Sequence, residues 1–274
     1  RTELITPEPA MALAALFDLP SDRVPSDTLP PLWHWIYLLE RVRQDELGVD
    51  GHPVHGIPAP PGEGFQRMFA GGRVTTYAPL RIGEIATRTT RVISSVDKVG
   101  KSGPLTFVTA RSSIEQRGTV SIADEIDIVY RARGSALARR EKQSEADAES
   151  AAAVRSQAAL ELSVDEVLLF RFSALTYNAH RIHYDLDYAK SEGYPDLVVH
   201  GPLQALLMAE VLRRHDVSLV GHEFDYRLVA PAFGAQRVTA SANLAGQGTP
   251  ALVRDADLRV TATATLRPVE PASR

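Results

Sequence analysis

Between Arg171 and His200 the chain reads RFSALTYNAHRIHYDLDYAKSEGYPDLVVH and then runs into GPLQALLMAEVLRRH. This places an amide, Asn178, and two imidazoles, His180 and His183, on a short polar segment. The segment is expected to be a loop between an apolar strand, EVLLFRFSAL, and a helix that opens at Gly201. A neutral imidazole suits general acid/base work because its ordinary pKa lies near about 6.5. An asparagine can hold a water or a substrate oxygen but exchanges no proton at neutral pH. In an extended loop, residues 178 and 180 point the same way, and a turn at Arg181 would fold His183 back toward them. The first N–H groups of the Gly201 helix lack intrahelical partners and carry the positive end of its dipole. Gly201 lets a ligand approach the backbone, and Pro202 suits the first turn. A carbonyl oxygen accepting from the Gly201 N–H would be polarised as an enolate developed. Losing one such donor costs on the order of 100- to 1000-fold in rate in other enzymes.

The bland readings are surface histidines for the loop and a structural cap for the Gly-Pro helix start. HxxH with His200 could bind a metal, but no cysteine or tight carboxylate cluster completes a coordination geometry, so none is expected. These features are individually common, and their sum on one stretch favours chemistry.

Stepping outward, the 274 residues allow one large domain or two ordinary ones. A net charge of -4 gives no basic footprint for nucleic acid. With no cysteine, disulfides, thiolate nucleophiles and Cys-type zinc sites are excluded. No run of about 18 apolar residues is present to span a membrane. RTELITPEP lacks a signal pattern, and a cytoplasmic location is the expectation.

The segment EKQSEADAESAAAVRSQ is charged, Ala-rich and poor in large apolar residues, and reads as a linker. It divides the chain into residues 1–140, a linker at 141–160, and residues 161–274. The first part has helix signals in MALAALFDL, behind Thr6 and Pro7, and in LWHWIYLLERVRQDEL. Four strand-like runs follow, GRVTTYAP, ATRTTRVISSVDKVG, PLTFVTARSSIEQRG and TVSIADEIDIVYRA, dense in Val, Ile and Thr. The second part has EVLLFRFSAL, the His loop, the Gly201 helix, and the strand-like runs EFDYRLVAP, AQRVTASANLA and LRVTATATLRP. YAPLRIGE and LVAPAFGA occupy the same place in the two halves, which makes a weak internal repeat. The expected class is α+β: in each half a curled antiparallel sheet wraps a helix, and the two sheets join edge to edge.

At TYNAHRIHYDLDYA and VVHGPLQALLMAEVL the chain resembles the MaoC-like hydratases and dehydratases of the hotdog fold, whose signature runs Gly-Asp-x-Asn-Pro-x-His. By that match His183 falls on the catalytic His, Asn178 on the catalytic Asp, His180 on the Asn, and Gly201 on the oxyanion-donating Gly. The Asp-to-Asn change removes one of the two expected acid/base groups. NAHRIHYD, with FQRMFAGGRVTTYAPLRIGE, KVGKSGPLTFVT and EIDIVYRA, resembles the branch of type 2 hydroxyacyl-thioester dehydratases. That branch includes mesaconyl-C4-CoA and itaconyl-CoA hydratases. The resemblance implies a double hotdog with a degenerate N-terminal copy and the active site in the C-terminal one. It also implies reversible syn addition of water to a 2-enoyl-CoA, with CoA part of the substrate and no resident cofactor. A short branched dicarboxylic acyl group is the expected substrate, hydrated to citramalyl-CoA. In this scheme His183 takes a proton from water, Asn178 holds that water, and His183 or His180 returns a proton at Cα. By analogy with how the fold pairs sheets, a homodimer is open to it.

Arg67, Arg73, Lys98, Lys101 and Arg227 are candidates for CoA phosphates or a substrate carboxylate, beside the bland reading as solvated charges. Arg227 interrupts an apolar strand and is expected to face a pocket. Lys98 and Lys101 sit on an expected hairpin turn. Trp33, Trp35 and Tyr37 read as core, with a wall of the acyl pocket as the alternative for Trp35. His200 is carried as a substrate-binding candidate. Arg213 and Arg214 end a helix, where dipole compensation explains them. A hotdog thioesterase and a non-catalytic acyl-thioester-binding subunit are the rival readings.

Overall fold

A computed structural model describes residues 1–24, 26–58, 64–100, 103–132, 158–245 and 250–269. Its frame is one ten-stranded antiparallel sheet. The strands are β1 (Thr2–Leu4), β2 (Phe65–Thr76), β3 (Ile85–Gly100), β4 (Gly103–Gln116), β5 (Thr119–Ala132), β6 (Ala158–Val164), β7 (His222–Leu228), β8 (Gln236–Ala242), β9 (Ala251–Arg254) and β10 (Val260–Pro268). Their order across the sheet is β1-β3-β4-β5-β2-β7-β10-β9-β8-β6. Numbered within its own half, each set of five runs 1-3-4-5-2, and the two sets meet at their second strands. The expected edge-to-edge join is therefore the β2–β7 pair, in register from Gly71 opposite Arg227 to Thr76 opposite His222. The weak repeat was a true guide, since YAPLRIGE and LVAPAFGA follow the two strands that form this seam.

Among the described residues four α-helices accompany the sheet: α1 (Pro7–Leu16), α2 (Glu166–Thr176), α3 (Leu186–Ser191) and α4 (Gly201–Arg214). Helix α1 starts behind Thr6 with prolines in its first turn, as the residues predict. Helix α4 is the central one. Every residue from Leu203 to Leu212 is buried, and the helix touches β2, β6, β8, β9 and β10. Its one buried carboxylate, Glu210, accepts from Arg213 at 2.7 and 2.8 Å and from Arg214 at 2.9 Å. These two arginines neutralise a charge that burial would otherwise penalise by several kcal/mol, a larger role than compensating the dipole.

Two sequence expectations fail in instructive ways. EVLLFRFSAL is the helix α2, not a strand: the Asp165 side chain caps it by accepting from Leu168 N at 2.8 Å. Leu168, Leu169, Phe172 and Ser173 are its buried face, a helical spacing. The opening strand of this half is instead β6, which begins within the last residues of the expected linker. The rest of that linker, and Lys101, lie outside the described residues. LWHWIYLLERVRQDEL is not a long helix either. It holds only two 3-10 turns, Trp33–Ile36 and Gln44–Glu46. Leu32 and Leu38 both adopt positive φ, which breaks the helical path. Polar anchors hold it so: Trp35 Nε1 donates to Asp124 at 2.8 Å, and Tyr37 OH donates to the Thr6 carbonyl at 2.6 Å. Among the described residues the first half thus has no counterpart of α4. One hydrophobic core nevertheless spans both halves, from Ile5 and Trp33 to Leu206 and Phe224.

Candidate active site

Helix α2 ends at Tyr177, in the left-handed conformation at φ 52°, and this turns the chain out of the helix into the His loop. Asn178 N–H closes the end by donating to the Ser173 carbonyl at 2.8 Å. Asn178 Oδ1 accepts from His180 N at 3.0 Å, so the side-chain NH2 is the end left for another partner. A 3-10 turn at Arg181–His183 then folds His183 back, as the spacing suggested. Asp185 locks the turn by accepting from Arg181 Nη2 at 2.7 Å and by capping α3 at Tyr188 N, 2.9 Å away.

His183 is buried, and its Nδ1 lies 2.6 Å from the Val198 carbonyl oxygen. A carbonyl only accepts, so Nδ1 carries the proton and Nε2 keeps its lone pair. Burial is the main cause that pushes the His183 pKa down to about 4, against the Val198 bond that raises it. The ring is therefore a neutral base at physiological pH. Behind it His200 stacks at 3.7 Å between ring centroids, fully buried, with Nε2 2.9 Å from Ser173 Oγ. His200 does not line the cavity described below, which corrects its reading as a substrate-binding residue: it backs His183.

The row of imidazoles extends the other way. His180 sits 5.5 Å from His183, edge on, and His52 lies 4.1 Å from His180. Burial lowers the pKa of both; the Asp50 bond opposes this at His52, the Arg67 charge adds to it at each, and neighbouring imidazoles add to it at His180. His52 comes from the first half, on a loop the sequence showed only as a Pro- and Gly-rich connection. Its Nδ1 lies 3.2 Å from Asp50 Oδ2, and its N–H donates to Asp50 Oδ1 at 2.9 Å. Burial pushes the Asp50 carboxyl up, but the His52 bonds and charge outweigh this and leave it below the ordinary value. The loop is docked on the His loop: Arg181 N donates to the Asp50 carbonyl at 2.9 Å and Arg181 Nη1 to the Val49 carbonyl at 3.0 Å. Gly51, at φ +86°, makes this contact possible, since a Cβ there would stand 1.9 Å from the Ala179 carbonyl oxygen. Asp50, His52 and His180 hold ligand-type atoms within 4.8 Å of one another. The nearby Arg67 charge opposes a cation there.

These groups open on a cavity of about 960 Å3 between the halves, lined by His52, Asn178, His180, His183, Gly201 and Arg67, with apolar walls from Phe69, Ile126 and Ile128. At Gly201 a Cβ would meet Leu228 Cδ1 at 2.1 Å, so the α4 N-terminus faces the cavity with bare backbone. Two guanidinium groups reach the lining. Arg88 is paired with Glu40 at 3.8 Å, whereas the Arg67 side chain forms no hydrogen bond or close ion pair among the described residues and feels the Asp50 and Glu40 charges at longer range. Other expectations are corrected. Arg227 is exposed and outside the lining, because the β7 alternation turns it to solvent between buried Tyr226 and half-buried Leu228. Trp35 packs in the core beside Tyr226 and away from the cavity. Lys98 lies on β3 over the Phe107 ring, also away from the cavity. Arg73 pairs with Glu125 at 2.7 Å.

Two curled sheets joined at their second strands, one central helix, and imidazoles at its N-terminus define a double hotdog of the MaoC-like kind. HtdX of Mycobacterium tuberculosis is a structural neighbour over 98% of this chain and 100% of its own, at TM-score 0.67 and 16% identity. A second protein of that organism, described as having a double hotdog fold, matches over 98% of this chain and 93% of its own at TM-score 0.56 and 14% identity. The family described as hydroxyacyl-thioester dehydratase type 2 matches residues 32–234. Mesaconyl-C(4)-CoA hydratase of Chloroflexus aurantiacus is 45% identical over 227 residues, 82% of this chain and 78% of that protein. The chain belongs to the hydroxyacyl-thioester dehydratase type 2 family, and it is a hydro-lyase of acyl thioesters in class.

Proposed function

We propose that this protein catalyses reversible addition of water to a short 2-enoyl-CoA whose acyl group carries a second carboxylate, with mesaconyl-C4-CoA and itaconyl-CoA as the candidate substrates. The observation that carries the dicarboxylic reading is Arg67. Its guanidinium lies on the cavity lining with no hydrogen bond or close ion pair among the described residues, beside histidines that burial keeps neutral. Burial lowers its pKa against the longer-range charges of Tyr130, Asp50 and Glu40, and an anionic group in the cavity would pair with it directly. The Chloroflexus relative, whose name specifies such an acyl group, supports the same substrate class.

The geometry supports one set of roles for this reaction. Asn178 NH2 holds the water, and His183 Nε2 takes its proton as the oxygen bonds to Cβ. The Gly201 N–H, at the positive end of α4, receives the thioester oxygen as it becomes an enolate. The apolar cavity walls strengthen that hydrogen bond by excluding water.

The test is a panel of crotonyl-, mesaconyl-C4- and itaconyl-CoA, followed by loss of the enoyl thioester absorbance, with wild type beside Arg67→Ala. A charged hydrogen bond contributes about 1.5–3 kcal/mol, so Arg67→Ala should raise KM for the dicarboxylic substrates roughly 10- to 100-fold and leave crotonyl-CoA within threefold. Equal effects on all three refute the carboxylate assignment. Release of free thiol without loss of the double bond refutes hydration itself.

A further inference from the structure

With Asn178 where an acid is expected, one proton transfer has no obvious owner in the His loop. The first half supplies a candidate. We propose that His52, oriented by Asp50, is the second proton-transfer residue of the site, and that His180 links it to His183. The inference rests on the hydratase reading above.

Four observations carry it. His52 lines the same cavity as Asn178, His183 and Gly201, while Asp50 stands behind it, off the lining. Asp50 holds His52 through both the ring Nδ1 and the backbone N–H, which leaves Nε2 as the nitrogen free for substrate. This is the arrangement in which a carboxylate fixes an imidazole and stabilises the imidazolium that forms. The loop is also fixed where it stands, by two hydrogen bonds from Arg181 and by the close approach of Gly51, where any Cβ would collide with the His loop. Finally, the His180 ring lies within 4.1 Å of His52 and 5.5 Å of His183 by centroids, so it bridges them.

In the hydration direction His183 Nε2 takes one proton of the water as the water oxygen bonds to Cβ. The π pair of the double bond moves into the thioester, whose oxygen becomes the enolate held by Gly201 N–H. The enolate carbonyl then re-forms as Cα takes the Nε2 proton of a His52 imidazolium. One proton has left His52 and one has reached His183, and His180 returns it, so the enzyme is restored and water is the only addend. Dehydration is the same sequence reversed. At rest, burial disfavours the His52 imidazolium, Asp50 favours it and Arg67 opposes it. A substrate carboxylate seated on Arg67 offsets that opposition, so substrate binding shifts His52 toward the protonated form.

The experiment measures steady-state hydration by the whole 274-residue chain carrying His52→Gln or Asp50→Asn, with circular dichroism and thermal midpoints as folding checks. General acid/base groups contribute on the order of 100- to 10000-fold. The expected result is a fall of at least about 100-fold in kcat for His52→Gln, with KM within threefold. Asp50→Asn keeps the imidazole but loses its counter-charge, and should fall about tenfold. Dehydration of the α-deuterated 3-hydroxyacyl-CoA adds a readout that a structural role would not move: the isotope effect should grow in His52→Gln. A folded His52→Gln protein with kcat within threefold of wild type overturns the assignment, as does a loss confined to KM or an unchanged isotope effect. If His52→Gln fails to fold, Asp50→Asn decides: unchanged kcat there overturns it. A wild type that hydrates no enoyl-CoA overturns the hydratase reading along with this one, whereas an active wild type with an equally active His52→Gln overturns this one alone.

Discussion

Lowering the pH from 7 to 5 should cost this fold about 2 kcal/mol through His183 alone. Its imidazole has an ordinary value of 6.5, and burial brings it to about 4 in the fold. As pH falls, the unfolded chain therefore takes up the proton first. The His183 contribution is complete above pH 6.5 and drains away as pH falls toward 4. At pH 5 the folded histidine is about nine-tenths neutral and the unfolded one only about a thirtieth neutral, a roughly 30-fold ratio worth about 2 kcal/mol at ~1.4 kcal/mol per decade. Because the ring is enclosed and its Nδ1 is tied to Val198, solvent screens little of this. The assay is urea unfolding at the two pH values for wild type and His183→Gln. Glutamine can still donate to the Val198 carbonyl and does not titrate. Acid-sensitive groups away from the imidazole row act in both proteins and cancel in the comparison, whereas His52, His180 and His200 are coupled to His183 by charge and set the residual difference. Wild type should lose about 2 kcal/mol more than the variant between pH 7 and 5. A difference under about 0.5 kcal/mol refutes the claim that His183 is held neutral by burial.

Two further substitutions test how the site is positioned. Gly51→Ala puts a methyl group against the Ala179 carbonyl in a backbone conformation that only glycine adopts freely, so it should undock the Asp50–His52 loop. The expected readout is a loss of at least tenfold in kcat, with near-unchanged far-ultraviolet circular dichroism. Asp165→Ala removes the cap of α2 and should lower stability by about 1 kcal/mol in urea melts, with a smaller effect on kcat.

The strands and the central helix were legible because their signals are local. Alternation along TVSIADEIDIVYRA and the Gly-Pro start of GPLQALLMAEVL depend on neighbours in sequence, and both elements stand where those signals put them. EVLLFRFSAL misled because a short apolar run satisfies either period, and Asp165, the cap that decides it, lies just ahead of the run. LWHWIYLLE misled for a tertiary reason. Trp35 and His34 reach Asp124, about ninety positions away, and those bonds outweigh helix propensity. At the site, the spacing of Asn178, His180 and His183 was readable, and the turn at Arg181 brings them to one cavity. Arg227 was misplaced because alternation along β7 was not carried through to its position. The Asp50–His52 pair was missed altogether. A DGH tripeptide in a polar loop has no periodicity, and nothing in sequence reports a contact across more than a hundred residues.

The mirrored strand order has a consequence for stoichiometry. Two curled sheets meeting at equivalent strands resemble a symmetric pair, and a symmetric pair would carry two equivalent binding sites. Here the described residues contain a central helix and a His loop in one half alone, while the other half gives its loop at Asp50–His52 and the Arg67 strand to that same cavity. The chain therefore counts as one binding equivalent. Whatever number of chains assemble in solution, a titration with acyl-CoA should saturate at one ligand per chain, built from two halves that each hold part of it.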